Sequence, residues 1–356
     1  MRKLLVLGNG FDLHCGLNST FNHFLTFSKS EKDPKGLNFF LYVLWLTFFE
    51  ESQDELAQEH WQKELNISEK DNWMDFELML NHLLFESTNF YDLAKKAYEY
   101  RWYGTGPTRV DDIYAKLKVY FKLNVKDSVS FEDYLRRQLD DFEKSLCDYL
   151  ASQLERNLIL ERQQNKLIDE MLGESECAHI MTFNYTYPGS KFNESMISFV
   201  HGKWLDKNII IGVDPANNLS FKNGMTTFRD LGSKELFTKT YRKMILDAKR
   251  GKPDKALKKE IDLITFYGHS FGEQDYSYFQ SLFDFYSLYD SDIILEFLYS
   301  EYDGEPGKKN TKQLEKNLKR IYKLINEYGE TLSNKDHGKN LLHKLLLEGR
   351  LVIKQI

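Results

Sequence analysis

Four short polar segments in this sequence each follow an apolar run that is typical of a buried strand. They are the glycine turn at residues 8–10, residues 182–186, His201 with the glycine after it, and residues 268–275. Glycine lets a backbone approach a phosphate closely, and an imidazole titrates near neutral pH and can accept a proton. Ligands of open parallel sheets bind outside the carboxyl ends of the strands. We therefore expect the four segments to meet around one small molecule.

The first of these segments follows the apolar run at residues 3–7, which begins almost at the N-terminus. Gly8 and Gly10 flank one residue, and Gly16 lies six residues further on. This pattern predicts a strand, a turn that approaches a phosphate, and a helix. The usual dinucleotide fingerprint has a third glycine where this chain has Leu13, so a strand-turn-helix without a ligand is the alternative.

The other three segments also have purely structural interpretations. Asn184 could terminate a strand by bonding its own backbone, and His201 could be a core histidine with a satisfied hydrogen bond. Ser270 and Asp275 could be N-caps of a helix predicted over residues 275–286. The convergence of all four segments on one edge favours a functional site over four separate accidents.

The apolar patterns predict the secondary structure around these residues. Short apolar runs alternate with helical patterns after residue 178, whereas residues 21–177 read almost entirely as helix. We expect an α/β fold with a mostly parallel, Rossmann-like sheet and a large all-helical insertion between the first and second strands. The predicted domains are 1–20 with 178–356, and the insertion 21–177. Strands are predicted at residues 3–7, 179–183, 196–200, 209–211, 263–267, 293–295 and 351–353.

Composition limits the class of protein. The chain has 356 residues, 42% of them hydrophobic, and a formal net charge of −6, which argues against a general nucleic-acid coat protein. The three cysteines, Cys15, Cys147 and Cys177, have no paired spacing. This pattern fits a reducing cytoplasm without disulfides or a zinc site, and no secretion signal precedes the first strand.

Residues 37–49 form an apolar and aromatic segment that ends at two glutamates. It is shorter than the roughly 20 residues that a membrane-spanning helix needs. A helix that is apolar all round is buried in a core or packed between subunits. We therefore expect no membrane contact, and a core helix or a homo-oligomer interface at 37–49.

The order of the motifs Gly8-Asn9-Gly10-Phe11-Asp12, Thr182-Phe183-Asn184-Tyr185-Thr186, Val200-His201-Gly202 and Gly268-His269-Ser270 closely resembles the AbiH family of bacterial phage abortive-infection proteins. The resemblance extends from the first residue to about Leu298. It implies a role in defence against phage, triggered by a phage-derived signal. Trp73, Asp75 and Glu77 also match that family, without a known chemistry.

The same motifs are distantly similar to sirtuin-like domains, which bind NAD and cleave its nicotinamide–ribose bond. Those domains carry a glycine turn with a second glycine eight residues later, a strand ending in asparagine, a His-Gly pair and a serine turn. The similarity implies NAD as substrate or ligand, with Asn184 orienting a ribose hydroxyl or water and His201 as general base. It further implies a cofactor-binding set of Gly8, Asn9, Gly10, Phe11, Asp12, Gly16, Thr182, Ser270 and Asp275.

This chain also departs from the sirtuin pattern. Asp12 stands where sirtuins have a small residue, and a carboxylate beside a pyrophosphate would be repelled. We therefore expect Asp12 to point away, to cap a helix, or to face a less anionic part of the ligand. The zinc-ribbon cysteines of deacylating sirtuins have no counterpart in the sequence, which argues against lysine deacylation.

Two other functions stay open at the level of sequence. In the first, Asp12, Asp75, Glu77 and Asp275 bind a metal ion in a nuclease or phosphoryl-transfer effector, and basic residues within 242–259 touch nucleic acid. Acidic residues interrupt that basic stretch, which favours a solvated helix face. In the second, the protein is a sensor that binds a nucleotide or a phage component and signals by assembly.

Overall fold

A computed structural model describes residues 1–31, 36–48, 76–86, 88–103, 112–214, 234–251, 255–300, 312–333 and 335–356. Its strands are β1 (Arg2–Leu7), β2 (Glu176–Thr182), β3 (Ile197–Phe199), β4 (Leu263–Tyr267), β5 (Ile294–Tyr299) and β6 (Leu351–Gln355). The α-helices are α1 (Asn9–His14), α2 (Phe21–Glu31), α3 (Phe39–Phe48), α4 (Phe76–Asn81), α5 (Thr88–Glu99), α6 (Asp112–Asn124), α7 (Phe131–Arg156), α8 (Leu160–Leu172), α9 (Lys239–Arg250), α10 (Tyr276–Phe285), α11 (Gln313–Thr331) and α12 (Lys335–Leu347). A π-helical turn, His82–Glu86, follows α4, and 3₁₀ turns lie at Glu194–Met196, Trp204–Asp206, Lys234–Phe237 and Glu273–Asp275.

The six strands in the described residues form one open sheet in the order β3-β2-β1-β4-β5-β6, and every neighbouring pair is parallel. The predicted α/β class with a parallel sheet is confirmed. Leu7, the last residue of β1, pairs with Thr182 at the end of β2 and with Tyr267 at the end of β4. Thr182 in turn pairs with Phe199 at the end of β3. The loops after these four strands therefore emerge side by side at one edge.

Apolar packing on both faces of the sheet explains the unbroken apolar run of β1. Leu4 and Val6 face a cluster that includes side chains of α10, α11 and α12. Leu5 and Leu7 face the opposite cluster, which includes side chains of α1 and α8. A strand covered on both faces needs apolar residues at every position rather than at alternate ones.

The chain divides into two compact units. The first consists of Met1–Ser19, Leu150–Ile209 and Ile245–Ile356, and contains the sheet. The second consists of Thr20–Tyr149 and Ile210–Met244.

The core of the second unit is aromatic. The rings of Phe76 and Phe142 stack with their centroids 4.2 Å apart, and Phe39 stacks on Phe121 at 5.4 Å. In α3, within the segment 37–49 singled out by its composition, Phe39, Phe40, Val43 and Leu44 are fully buried in the single chain. Assembly of copies through this helix stays a prediction, and residue 49 lies outside the described residues. No helix in the described parts of the chain is long and apolar enough to cross a membrane.

Residues 209–211 do not form the predicted strand. Their side chains are buried, but the backbone N–H of Ile211 donates to the Glu143 carboxylate at 2.8 Å instead of to a neighbouring strand. The N–H of Gly212 likewise donates to Glu77 at 3.3 Å. Carboxylates thus take the hydrogen bonds that a sheet ladder would otherwise supply.

Candidate functional site

The turn after β1 packs directly against the loop after β4. The N–H of Gly8 donates to the carbonyl of Tyr267 at 3.0 Å, and that of Gly10 donates to Gly268 at 2.8 Å. A Cβ on Gly8 would lie 2.5 Å from the Cα of His269, and one on Gly10 would lie 2.7 Å from the Cα of Gly268. These glycines are therefore needed for the contact between two loops. Because both N–H groups already have protein acceptors, other groups would have to bind a phosphate at this turn.

Asp12, in the first turn of α1, lies in a buried polar cluster with the segment after β2. Its Oδ2 accepts a hydrogen bond from the Thr186 hydroxyl at 2.5 Å. Thr182 Oγ1 accepts the backbone N–H of Asn184 at 3.1 Å, which fixes the start of this segment. Asp12 is 2% exposed and Asn184 is 5% exposed. In the structure the side chain of Asp12 is bonded by a hydroxyl group of the chain itself, that of Thr186.

The environment of Asp12 favours its neutral form. Burial raises the pKa of this carboxyl to about 7, because the charged form loses its hydration. Polar contacts with Thr186, Gln164 and Asn184 act in the opposite direction and lower it. Gln164 comes from α8, also donates to the carbonyl of Tyr187 at 2.9 Å, and was not singled out by its sequence context.

The Asp275 carboxylate lies between two histidines. Its Oδ1 is 2.9 Å from Nε2 of His201, which follows β3, and its Oδ2 is 3.3 Å from Nε2 of His269, which follows β4. Asp275 precedes α10 at the N-cap position, but its side chain makes no capping hydrogen bond. The carboxylate bonds the histidines instead.

The hydrogen bonds of His269 determine its tautomer. The backbone N–H of Phe271 donates to His269 Nδ1 at 2.8 Å, so this nitrogen carries the lone pair. In the neutral ring the proton is then on Nε2, which donates to Asp275. The sequence motif contained His269, but nothing in its spacing indicated a contact with Asp275.

Aromatic rings surround the histidine pair. The ring of Phe183, one residue before Asn184, lies 4.5 Å from that of His269 and 5.4 Å from that of His201, centroid to centroid. Tyr278 of α10 packs on His201 at 5.4 Å. The side chain of His201 is only 5% exposed. Phe183 thus links the two polar groups at this edge of the sheet.

The remaining predicted site residues occupy varied positions. Asn9 accepts a hydrogen bond from the Ser19 hydroxyl at 2.6 Å, and Phe11 is fully buried in the core against α8. Gly16 has a φ of +82°, and its carbonyl accepts from Asn157 at 3.0 Å. Ser270 is exposed. The structure therefore brings the predicted segments together at one edge, and the individual side chains form two buried polar groups there.

The carboxylates of the metal-dependent alternative lie in different parts of the chain. Trp73 and Asp75 lie outside the described residues. Glu77 belongs to the second unit, where its carboxylate pairs with the buried Lys239 at 2.6 Å. Within the described residues, no group of three or more His, Cys, Asp or Glu side chains is arranged to hold a metal ion.

The fold is that of an α/β protein with an open, all-parallel sheet and polar loops gathered at its carboxyl edge. The family model described as "Bacteriophage abortive infection AbiH" matches residues 4–297, which run from β1 into β5 and include all four polar segments. The chain therefore belongs to the AbiH family, as its motifs predicted, and the family supports a bacterial role in abortive infection against phage. Comparisons with curated proteins and with solved structures gave no match.

Proposed function

We propose that this AbiH protein is an anti-phage effector that binds NAD or a related nucleotide at the carboxyl edge of its sheet and cleaves the nicotinamide–ribose bond. The observation that carries the proposal is that the loops after four neighbouring parallel strands bring Asn184 and the His201–Asp275 pair to one edge of the sheet. Each residue comes from a separate segment of the chain.

The topology supports a nucleotide ligand. The strand order β3-β2-β1-β4-β5-β6 is that of dinucleotide-binding sheets, and the order reverses between β1 and β4. Ligands of such sheets bind in the crevice at this reversal. The loops after β1 and β4 carry the glycine turn and His269, and both lie at that position.

Cleavage of this bond requires the protein to orient the ribose and the attacking water and to accept one proton. The bond between ribose and nicotinamide breaks with its electron pair going to the nicotinamide nitrogen, water adds to the ribose carbon, and one proton is released. Asn184 orients the ribose or the water, and His201 takes the proton. Asp275 accepts the Nε2–H of His201, which makes Nδ1 the basic nitrogen of that ring.

The test incubates the purified full chain with NAD, with and without phage lysate, and follows free nicotinamide by chromatography. His201→Ala and Asn184→Ala should each abolish release while the circular dichroism spectrum stays unchanged. His343→Ala is the matched control, because His343 is exposed on α12.

Three outcomes would contradict the proposal in different ways. An unchanged rate in His201→Ala would remove this histidine from the reaction. Loss of release in a chelator would favour the metal-dependent alternative. Binding of NAD without any release, accompanied by a change of oligomeric state, would indicate a sensor.

A further inference from the structure

In the segments after β1 and β2, three buried polar atoms have no hydrogen-bond partner of good geometry among the described residues. They are Oδ1 of Asp12, Oδ1 of Asn184 and Nδ2 of Asn9. A buried polar atom without a partner is costly, so native proteins leave few of them. Three in neighbouring segments of one site point to a ligand that supplies the partners.

The residues that carry these atoms are held by their other atoms. Asp12 Oδ2 accepts a hydrogen bond from the Thr186 hydroxyl at 2.5 Å, and Asn9 Oδ1 accepts one from the Ser19 hydroxyl at 2.6 Å. Asn9 and Asp12 are three residues apart on α1, so their side chains share one face of that helix.

The orientation of the Asn184 amide follows from its neighbour. Asp12 and Asn184 are close enough for the amide to lower the pKa of the carboxyl. Because this contact lowers the pKa, it stabilises the ionised carboxylate, which only accepts hydrogen bonds; the NH₂ group of Asn184 therefore faces Asp12 and its Oδ1 faces away. With Asp12 ionised, above its pKa of about 7, the site therefore presents two acceptors, Asp12 Oδ1 and Asn184 Oδ1, and one donor, Asn9 Nδ2.

Two acceptors and one donor complement a vicinal diol. Each hydroxyl of a diol can donate one hydrogen bond, and either can also accept one. A phosphate offers only acceptor oxygens and negative charge, which a buried carboxylate repels. We propose that Asp12, Asn184 and Asn9 form the ribose subsite of this protein, in which two ribose hydroxyls donate to Asp12 and Asn184 and one accepts from Asn9. The presence of a nucleotide there rests on the proposed function.

Binding measurements test the subsite separately from cleavage. The probes are NAD and NAD whose nicotinamide ribose lacks its 2′-hydroxyl, titrated calorimetrically into the full chain carrying His201→Ala so that neither ligand is consumed. This protein should bind NAD about 10- to 100-fold more tightly than the deoxy analogue, the ratio expected for a hydrogen bond to a charged group. Adding Asp12→Asn or Asp12→Ala should reduce that ratio to about twofold or less.

Asp284→Asn is the matched control, since Asp284 lies on the exposed side of α10 and should leave the ratio unchanged. Asp12→Asn preserves the size of the side chain, so it keeps the test valid if Asp12→Ala does not fold. Equal affinity for the two ligands, or an unchanged ratio after Asp12→Asn, would overturn the ribose subsite even where the parent protein releases nicotinamide. Absence of nicotinamide release by the parent protein, in contrast, would count against the proposed function and not against the ribose subsite.

Discussion

A single carboxylate, that of Asp275, determines the tautomer of two histidine side chains in this protein. Asp275 gives one oxygen to Nε2 of His201 and the other to Nε2 of His269. Both rings therefore carry their proton on Nε2 when neutral. The lone pair of His269 Nδ1 already accepts the N–H of Phe271, so in the proposed reaction the general base is His201 and not His269. In the proposed reaction, Asp275 and His269 are positioning residues, and His201 is the catalytic residue.

This division of roles predicts a large effect of Asp275→Asn on the proposed reaction. An amide has one acceptor oxygen, so one imidazole N–H would face an NH₂ group and its ring would change tautomer or move. The rate of nicotinamide release should fall about 100-fold or more, as expected when the group that orients a catalytic histidine is replaced. Asp284→Asn in α10, the helix that follows Asp275, should keep the parental rate; its carboxylate accepts from Tyr328 at 2.9 Å. Full activity of Asp275→Asn would show that the carboxylate does not set the base.

The sequence predicted the positions of His201 and Asp275 but not their partnership. The two residues are 74 positions apart, and each has a local structural interpretation. The role of His269 depends on a backbone detail, because Phe271 adopts a φ of +54° in the turn that brings its N–H to the ring. Apolar periodicity carries no information about such a turn.

The glycines of the site allow the backbones of the loops after β1 and β4 to lie in direct contact. Gly268 has a φ of +72°, and a Cβ there would lie 2.3 Å from the backbone nitrogen of Phe11. The glycine pattern did predict the turn after β1. The structure also shows a close approach that the pattern did not predict, between the loops after β1 and β4. That neighbour relation follows from the strand order, which the sequence does not specify.

Gly268→Ala should therefore destabilise the protein by more than backbone strain alone. Gly349→Ala is the control, because Gly349 has a similar φ of +66° and a Cβ there would have no atom of the described residues within 4 Å. Left-handed strain costs about 1–2 kcal/mol, and the clash at Gly268 should add at least about 1–3 kcal/mol. Urea unfolding followed by circular dichroism measures both. Equal losses in the two variants would mean that the loops separate easily.

Buried ion pairs lie in the second unit around residues 210–214. Glu143 accepts from the N–H of Ile211 and from the guanidinium of Arg242. Burial raises the pKa of Glu143 to about 7, even though the charge of Arg242 acts to lower it. Sequence patterns predicted an apolar strand at 209–211, because they do not show that buried carboxylates replace the ladder.

Removing one partner of this pair should be costly. Arg242→Gln leaves the Glu143 carboxylate buried without its counter-charge, and we expect a loss of about 3 kcal/mol in the free energy of unfolding. Arg136→Gln breaks an exposed i,i+4 pair with Asp140, 3.2 Å apart, and should cost less than about 0.5 kcal/mol. Urea titrations at pH 7 compare the two variants. Similar small losses would mean that Glu143 is stabilised by its backbone contact alone.

For the molecule as a whole, buried titrating groups act on stability in opposite directions. Burial raises the pKa of Asp12 to about 7 and lowers that of His179, which bonds Ser198, to about 4. The neutral form of Asp12 stabilises the folded chain below about pH 4, and this contribution is lost as the pH rises to about 7. For His179 the stability is present above about pH 6.5 and is lost as the pH falls towards 4. The contributions of Asp12 and His179 to the pH dependence of stability therefore partly cancel. A substitution that removes one of the two groups measures its contribution separately.

Asp12→Asn isolates the carboxyl, because the amide has nearly the same shape and does not ionise. At pH 5 the folded wild type holds Asp12 mostly neutral, whereas at pH 8 it must bury a charge that the unfolded chain exposes freely. The stability of Asp12→Asn relative to the wild type should therefore increase from pH 5 to pH 8 by an amount on the order of a few kcal/mol at most. His179 is unchanged in both proteins, so its contribution cancels in the comparison. Urea unfolding of both proteins at pH 5 and at pH 8 gives this difference in the free energy of unfolding. If the difference is the same at both pH values, Asp12 is ionised in the folded protein throughout. Its polar contacts, including that with Thr186, would then outweigh its burial.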